Sequence, residues 1–189
     1  MKLELAEDDR PPAELSLEGY LHSNWRPDCD FVDGRAEERN LGTSAHSRAV
    51  TVLILMLADK QEPWSYLALP SLRMRVSPTR VRVPDLCVIQ RGGPKEQVLT
   101  HPPLAAIDVL DEEDRLCATM EKLADYERFG VGHIWIIDPG AAHCLSICFR
   151  RASSGAGWCA CRAGNADPRG AQRAVCGVAE VISLAGWVR

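Results

Sequence analysis

Three residues carry the chemistry most legible in this 189-residue chain: Asp85 in "RVPDLCVI" (82–89), Asp108 in "LAAIDVL" (104–110) and Lys122 in "LCATMEKLADYERF" (116–129). Each aspartate interrupts an apolar run that reads as a strand, where a charge is costly unless it is paired, protonated or bound to a metal. Alternation along a strand puts Asp85 on one face with Val83, Cys87 and Ile89, and Asp108 on one face with Ala106 and Leu110. If the two strands are neighbours, both carboxylates converge on a divalent cation, and hard oxygen ligation of Mg²⁺ or Mn²⁺ offsets their burial. The plainer alternative is that each lies near a strand end and bonds a backbone N–H or an arginine such as Arg82 or Arg115. Spacing alone leans to the plainer account, and Lys122 shifts the balance. It borders the apolar stripe of Leu116, Met120 and Leu123, on a helix that begins soon after the Asp108 strand ends, so its ammonium could reach back to the carboxylates. A solvated Lys122 remains the bland counterpart. Two carboxylates, a lysine and a metal suffice to hydrolyse a phosphodiester.

The elements that must hold these residues follow from pattern. Residues 1–15 are polar and acidic with Pro11 and Pro12, a flexible lead-in, and 16–189 read as one domain in which 150–189 form a C-terminal extension. Ser16 caps a helix from Leu17 to about Ser23, and Asp33-Gly34 turns a hairpin over 31–39 whose second arm carries Glu38. After Ser44, the apolar residues from Ala49 to Leu57 cover almost every face, which predicts a helix largely enclosed by the fold. "WSYLAL", "LRMRVS" and "VRVPDLCVI" read as strands, the last one central, followed by the "LAAIDVL" strand. A helix over 116–129 ends at Gly130, and "GHIWIIDPG" returns as a strand. Strand, helix, strand in that order implies a right-handed crossover, so the fold class is α/β or α+β with helices on the faces of a mixed sheet. Beyond "CLSICF", residues 150–173 read as an irregular loop or long hairpin, and 174–184 as a last strand or short helix.

With 46% hydrophobic and 25% charged residues the composition is that of a globular protein. A net charge of -4 gives no general attraction to nucleic acid. Local basic groups are Arg73, Arg75, Arg80 and Arg82 on the strands before Asp85, and Arg150, Arg151, Arg162, Arg169 and Arg173 in the C-terminal stretch. No basic segment leads into an apolar core at the start, and the apolar run at 49–58 falls short of the roughly 20 residues of a membrane span, which predicts a cytoplasmic protein without membrane contact. Of eight cysteines, Cys29, Cys87, Cys117, Cys144 and Cys148 lie in or beside apolar segments and read as free thiols. Cys159, Cys161 and Cys176 lack the paired spacing of a zinc ribbon.

The order "FVDG…EERNLGTSAHS", "VRVPDLCVI", "PPLAAIDVLDEEDR", "KLADYERFGVGHIWIIDP" resembles the Uma-type restriction endonucleases, a bacterial branch of the PD-(D/E)xK nuclease superfamily, over about residues 16–150. The resemblance implies a restriction-endonuclease-like central mixed sheet flanked by helices. It makes Asp85 the aspartate of the PD element and Asp108 the acidic (D/E) residue, which together with the carbonyl of Val109 hold Mg²⁺ (or Mn²⁺). Leu110 stands where the superfamily motif has lysine, and Lys122 matches the lysine that this branch carries on the following helix. Glu38 matches an acidic residue after the first hairpin, a candidate to orient a metal-bound water or a second ion, and His46 matches a recurrent position, with packing or capping at a helix N-terminus and contact with substrate as its two alternatives. Two departures stand out: Asp108 replaces the usual glutamate, one methylene longer, and "DVLDEEDR" replaces "EVLSPxDR", adding Asp111, Glu112, Glu113 and Asp114 near the phosphate's place.

The implied function is a metal-dependent DNA endonuclease of the cytoplasm. A homodimer is the simplest way to cut both strands of a duplex. A nuclease-fold protein without productive chemistry, acting as a binding or regulatory module, is the alternative. A phosphoesterase acting on RNA or a small phosphorylated substrate is a third reading.

Overall fold

A computed structural model describes residues 14–24, 28–39, 42–94, 96–111, 116–139, 143–148 and 159–162. The lead-in before residue 14, the acids 112–114, Arg115, Arg150, Arg151, Arg169, Arg173, Cys176 and the expected element at 174–184 lie outside the described residues.

The first helix, α1 (Leu17–Leu21), is capped as expected by Ser16, whose hydroxyl accepts the Gly19 N–H at 3.0 Å. Strands β1 (Asp30–Val32) and β2 (Arg35–Glu37) form the hairpin, with Asp33 and Gly34 both at positive φ (48° and 90°), the conformation a two-residue turn of this kind requires. Helix α2 (Ser44–Trp64) starts from Thr43 rather than Ser44, and ends at Ser65 in the left-handed region. It is less enclosed than its sequence implies: Ala49, Leu53 and Leu57 form a single buried stripe, and Leu55 is 65% exposed on another face.

The remaining elements are β3 (Tyr66–Pro70), β4 (Arg73–Ser77), β5 (Arg80–Arg82), β6 (Leu86–Gln90), β7 (Val98–Leu99), β8 (Ala105–Val109), α3 (Leu116–Phe129), β9 (His133–Asp138), β10 (His143–Cys148) and β11 (Cys159–Arg162). They build two mixed sheets, a six-stranded one of order β11-β10-β9-β8-β6-β3 and a five-stranded one of order β2-β1-β5-β4-β7. The first is the expected central sheet, in which β8 and β9 run parallel with α3 between them in sequence, the strand-helix-strand unit read from the pattern. The second sheet was not foreseen.

The segment "VRVPDLCVI" is not one strand. Pro84 has no N–H to give a ladder and holds Val83 extended, so pairing stops at Arg82 in the smaller sheet and resumes at Leu86 in the larger. The Val83 N–H leaves the ladder and donates to Asp30 Oδ1 at 2.7 Å. Asp85 therefore stands at the joint between two sheets, not within a strand.

Alternation sorts the central sheet into two faces. Leu86, Ile107, Val109, Trp135 and Ile137 pack with the α2 stripe, whereas Cys87, Ala106, Ile134 and Ile136 pack with Leu123 and Tyr126 of α3. A large apolar side chain buried this way contributes roughly 1.5–3 kcal/mol. By the same parity Asp108, two residues after Ala106, belongs to the face that α3 covers.

Candidate active site

Register brings the two aspartates together. Leu86 pairs with Ile107 in the antiparallel β6/β8 ladder, so the next step beyond the ladder's end sets Asp85 opposite Asp108. Both are 7% exposed. Asp85 Oδ2 accepts the Val109 N–H at 2.8 Å and lies 3.2 Å from His46 Nε2, while its Oδ1 accepts from the Arg39 guanidinium. Asp108 Oδ1 accepts from Lys122 Nζ at 2.6 Å, and the same ammonium donates to the Val83 carbonyl oxygen at 3.1 Å. Asp108 Oδ2 and the Tyr126 hydroxyl are buried and have no hydrogen-bond partner among the described residues.

These surroundings set the charge states. Burial pushes the Asp85 carboxyl up, but the His46 hydrogen bond, the charges of Arg39 and Lys122 and the Val109 N–H overcome it and hold the pKa at about 2. Burial raises Asp108 above the usual carboxylate range, with Lys122 opposing and Asp85 adding to the rise. Burial works against the Lys122 ammonium, yet the negative charges of Asp108 and Asp30 keep its pKa above the ordinary lysine value. Desolvation first, then the Asp108 charge, drives the Tyr126 phenol well upward.

A cavity of about 420 Å³ opens over the pair, and Glu38, His46, Asp85, Asp108, Val109 and Lys122 all line it. The sequence-derived residues are thus brought to one place. Val109 meets Asp85 through its amide N–H, a contact the expectation for its carbonyl did not include. The plainer reading of Asp85 is also realised in part, because it does accept a backbone N–H and an arginine, but the arginine is Arg39.

Arg82 is committed elsewhere, and so are two of its neighbours. Arg82 pairs with Asp125 at 2.8 Å and with Asp30 and Glu37 at 3.2 Å each, Arg73 grips Asp28 at 2.7 Å and lies 4.4 Å over the Tyr20 ring, and Arg80 joins Asp33, Glu121 and Asp125. Three of the four strand arginines are therefore bound to carboxylates of the same chain, and Arg75 stays exposed. Among the acids after Asp108, Asp111 turns its Oδ2 to the Thr43 N–H at 2.7 Å and ties the end of β8 to the start of α2.

Sequence reasoning missed Arg39, Asp30 and Asp125. Arg39 adjoins Glu38, but nothing in "EERN" says that its partner lies 46 residues on. Asp30 and Asp125 are recognisable only as carboxylates in otherwise apolar neighbourhoods.

Among the described residues no group of three or more His, Cys, Asp or Glu side chains is arranged to hold a metal ion by itself, and Cys87 and Cys117 are free thiols. Among them, too, no helix is long and apolar enough to cross a membrane.

A solved structure described as a "putative nuclease belonging to DUF820" from Anabaena variabilis shares the fold, with a TM-score of 0.66 at 14% identity over 92% of this chain and 98% of that one. No curated protein matches the sequence. The model of the Uma2 family, described as "Putative restriction endonuclease", matches residues 15–169, and the chain belongs to that family.

Proposed function

We propose that the protein is a divalent-metal-dependent DNA endonuclease whose site is built on Asp85 and Asp108. The observation that carries this reading is the pair of buried carboxylates facing each other at a cavity, with Lys122 held against one of them. The donor set suits Mg²⁺ or Mn²⁺: both are hard oxygen ligands, Asp85 is ionised at neutral pH, and Asp108 Oδ2 is a buried acceptor without a partner among the described residues. The Val109 carbonyl is the further ligand in this reading. The "nuclease" in the descriptions of the family and of the structural neighbour supports nucleic acid as the substrate class.

When bound, the metal supplies charge neutralisation at the phosphate and a water of lowered pKa. The chain's own residues do the rest. The Val109 N–H fixes the rotamer of Asp85, and Asp108 is held by Lys122. Lys122 stays charged because Asp108 and Asp30 raise its pKa, so it can stabilise negative charge building on the scissile phosphate. Glu38, on the cavity wall, accepts a hydrogen bond from the attacking water. A pair of protomers would offer one such site to each strand of a duplex.

A binding or regulatory module is the second reading. It is favoured by one observation, that Arg39 and Lys122 already neutralise the two carboxylates. Incubating supercoiled plasmid, linear duplex, single-stranded DNA and RNA with Mg²⁺ or Mn²⁺ separates the readings. The endonuclease cuts DNA only with metal, and Asp85→Ala, Asp108→Ala and Lys122→Ala each abolish cutting. Cleavage that persists in the aspartate variants rejects the site, and no cleavage by the wild type favours the module.

A further inference from the structure

We infer that Arg39 sets the metal affinity of this site, as a resident counter-ion of Asp85 that an incoming divalent cation must displace. This rests on the metal-dependent reading above. Charge count gives the reason. Asp85 and Asp108 carry two negative charges, and the guanidinium of Arg39 and the ammonium of Lys122 match them before His46 is considered. A divalent ion brings two further positive charges against the same two carboxylates in a largely buried site, so it competes with the resident cations for their oxygens.

The two cations are not equally held. Lys122 projects from the fourteen-residue helix α3, its ammonium bridges Asp108 and the Val83 carbonyl, and the apolar residues beside it anchor the helix to the sheet. Arg39 lies two residues beyond the end of β2, outside any helix or strand, and its hydrogen bond among the described residues is to Asp85 alone. Its side chain is 20% exposed, so the guanidinium has a route to water. The second cavity arginine, Arg82, is 3% exposed and fixed between Asp30 and Asp125, and cannot take over the role. Arg39 is the cation that yields. It also occupies Asp85 Oδ1, whereas His46 and the Val109 N–H share Oδ2, so its withdrawal frees one carboxylate oxygen completely.

The test is calorimetric titration of the full-length protein with Mn²⁺ and with Mg²⁺, without nucleic acid. Wild type, Arg39→Ala, Arg39→Gln and Asp85→Asn are compared, and circular dichroism checks the fold of each; Arg39→Gln keeps most of the side-chain volume in case alanine impairs folding. Removing one charge-assisted hydrogen bond from the competition tightens Mn²⁺ binding by roughly tenfold in both Arg39 variants, and Asp85→Asn loses the binding. Metal binding by wild type through Asp85, with unchanged or weaker affinity in the folded Arg39 variants, overturns the role of Arg39 and leaves the metal site standing. Absence of binding in wild type and Arg39 variants alike overturns both.

Discussion

Lys122 Nζ lies 2.6 Å from Asp108 Oδ1 and 3.1 Å from the carbonyl oxygen of Val83, so one helical side chain joins the end of β8 to the residue just before Pro84. Truncating it leaves Asp108 buried without its bonded cation. Lys122→Met is expected to cost about 3–5 kcal/mol of stability in urea denaturation at neutral pH. Asp108→Asn combined with it should lose clearly less than the sum of the two single changes, because the second substitution removes the stranded charge. Additive losses would mean that the pair is not coupled.

The Arg82 network makes a contrast between buried and exposed pairs. Arg82→Met takes from buried Asp30 the cation it is paired with and from buried Asp125 one of three, and should cost about 3–5 kcal/mol by chemical denaturation. Arg128 also reaches Asp125 at 2.9 Å, but its side chain is 66% exposed, and Arg128→Ala should cost less than about 1 kcal/mol. Similar losses from both would show that burial does not govern these ion pairs.

Gly42 is a local constraint on the site. Its φ is +74°, and a Cβ there would lie 2.9 Å from His46 Nδ1, so Gly42→Ala combines backbone strain with a push on the ring that contacts Asp85. Gly92 has φ +83° and nothing within 4 Å of the same added carbon, and Gly92→Ala tests strain alone. Both should lower stability by about 1 kcal/mol or more, but only Gly42→Ala should also shift the His46 ring resonances in NMR spectra. Undisturbed His46 resonances in Gly42→Ala would count against the close packing.

His133, at the start of β9, has its pKa lowered from 6.5 by burial. The unfolded chain therefore takes up this proton at a higher pH than the folded one. Stability is intact above the unfolded value and falls as pH drops through 6.5 towards the folded pKa. Denaturation curves between about pH 7 and pH 5 should show a smaller decline in His133→Gln than in wild type. Equal slopes would exclude this contribution.

What was legible in the sequence was what short-range pattern controls. The order of β8, α3 and β9, the Ser16 cap, the Gly130 stop and the Asp33-Gly34 turn all depend on residues close in the chain. Asp85 and Asp108 could be paired because each was a solitary charge in an apolar run, and helical spacing put Lys122 within reach. What escaped depends on contacts between distant segments. Arg39 meets Asp85 across 46 residues and Arg82 meets Asp30 across 52, and no periodicity encodes either partnership. The division of "VRVPDLCVI" between two sheets was implicit in Pro84, whose missing N–H interrupts a ladder. The apolar residues of α2 misled because composition gives the breadth of an apolar surface and not how much of it another element covers: Leu55 remains exposed.

Diffraction from crystals grown with Mn²⁺, collected where manganese scatters anomalously, tests most directly the claim that Asp85 and Asp108 form one metal site. The expected result is a single strong anomalous peak within ligand distance of a carboxylate oxygen of each aspartate, with the Arg39 guanidinium moved off Asp85. A map at saturating Mn²⁺ with no peak at the pair, and with Arg39 still bound to Asp85, would contradict it.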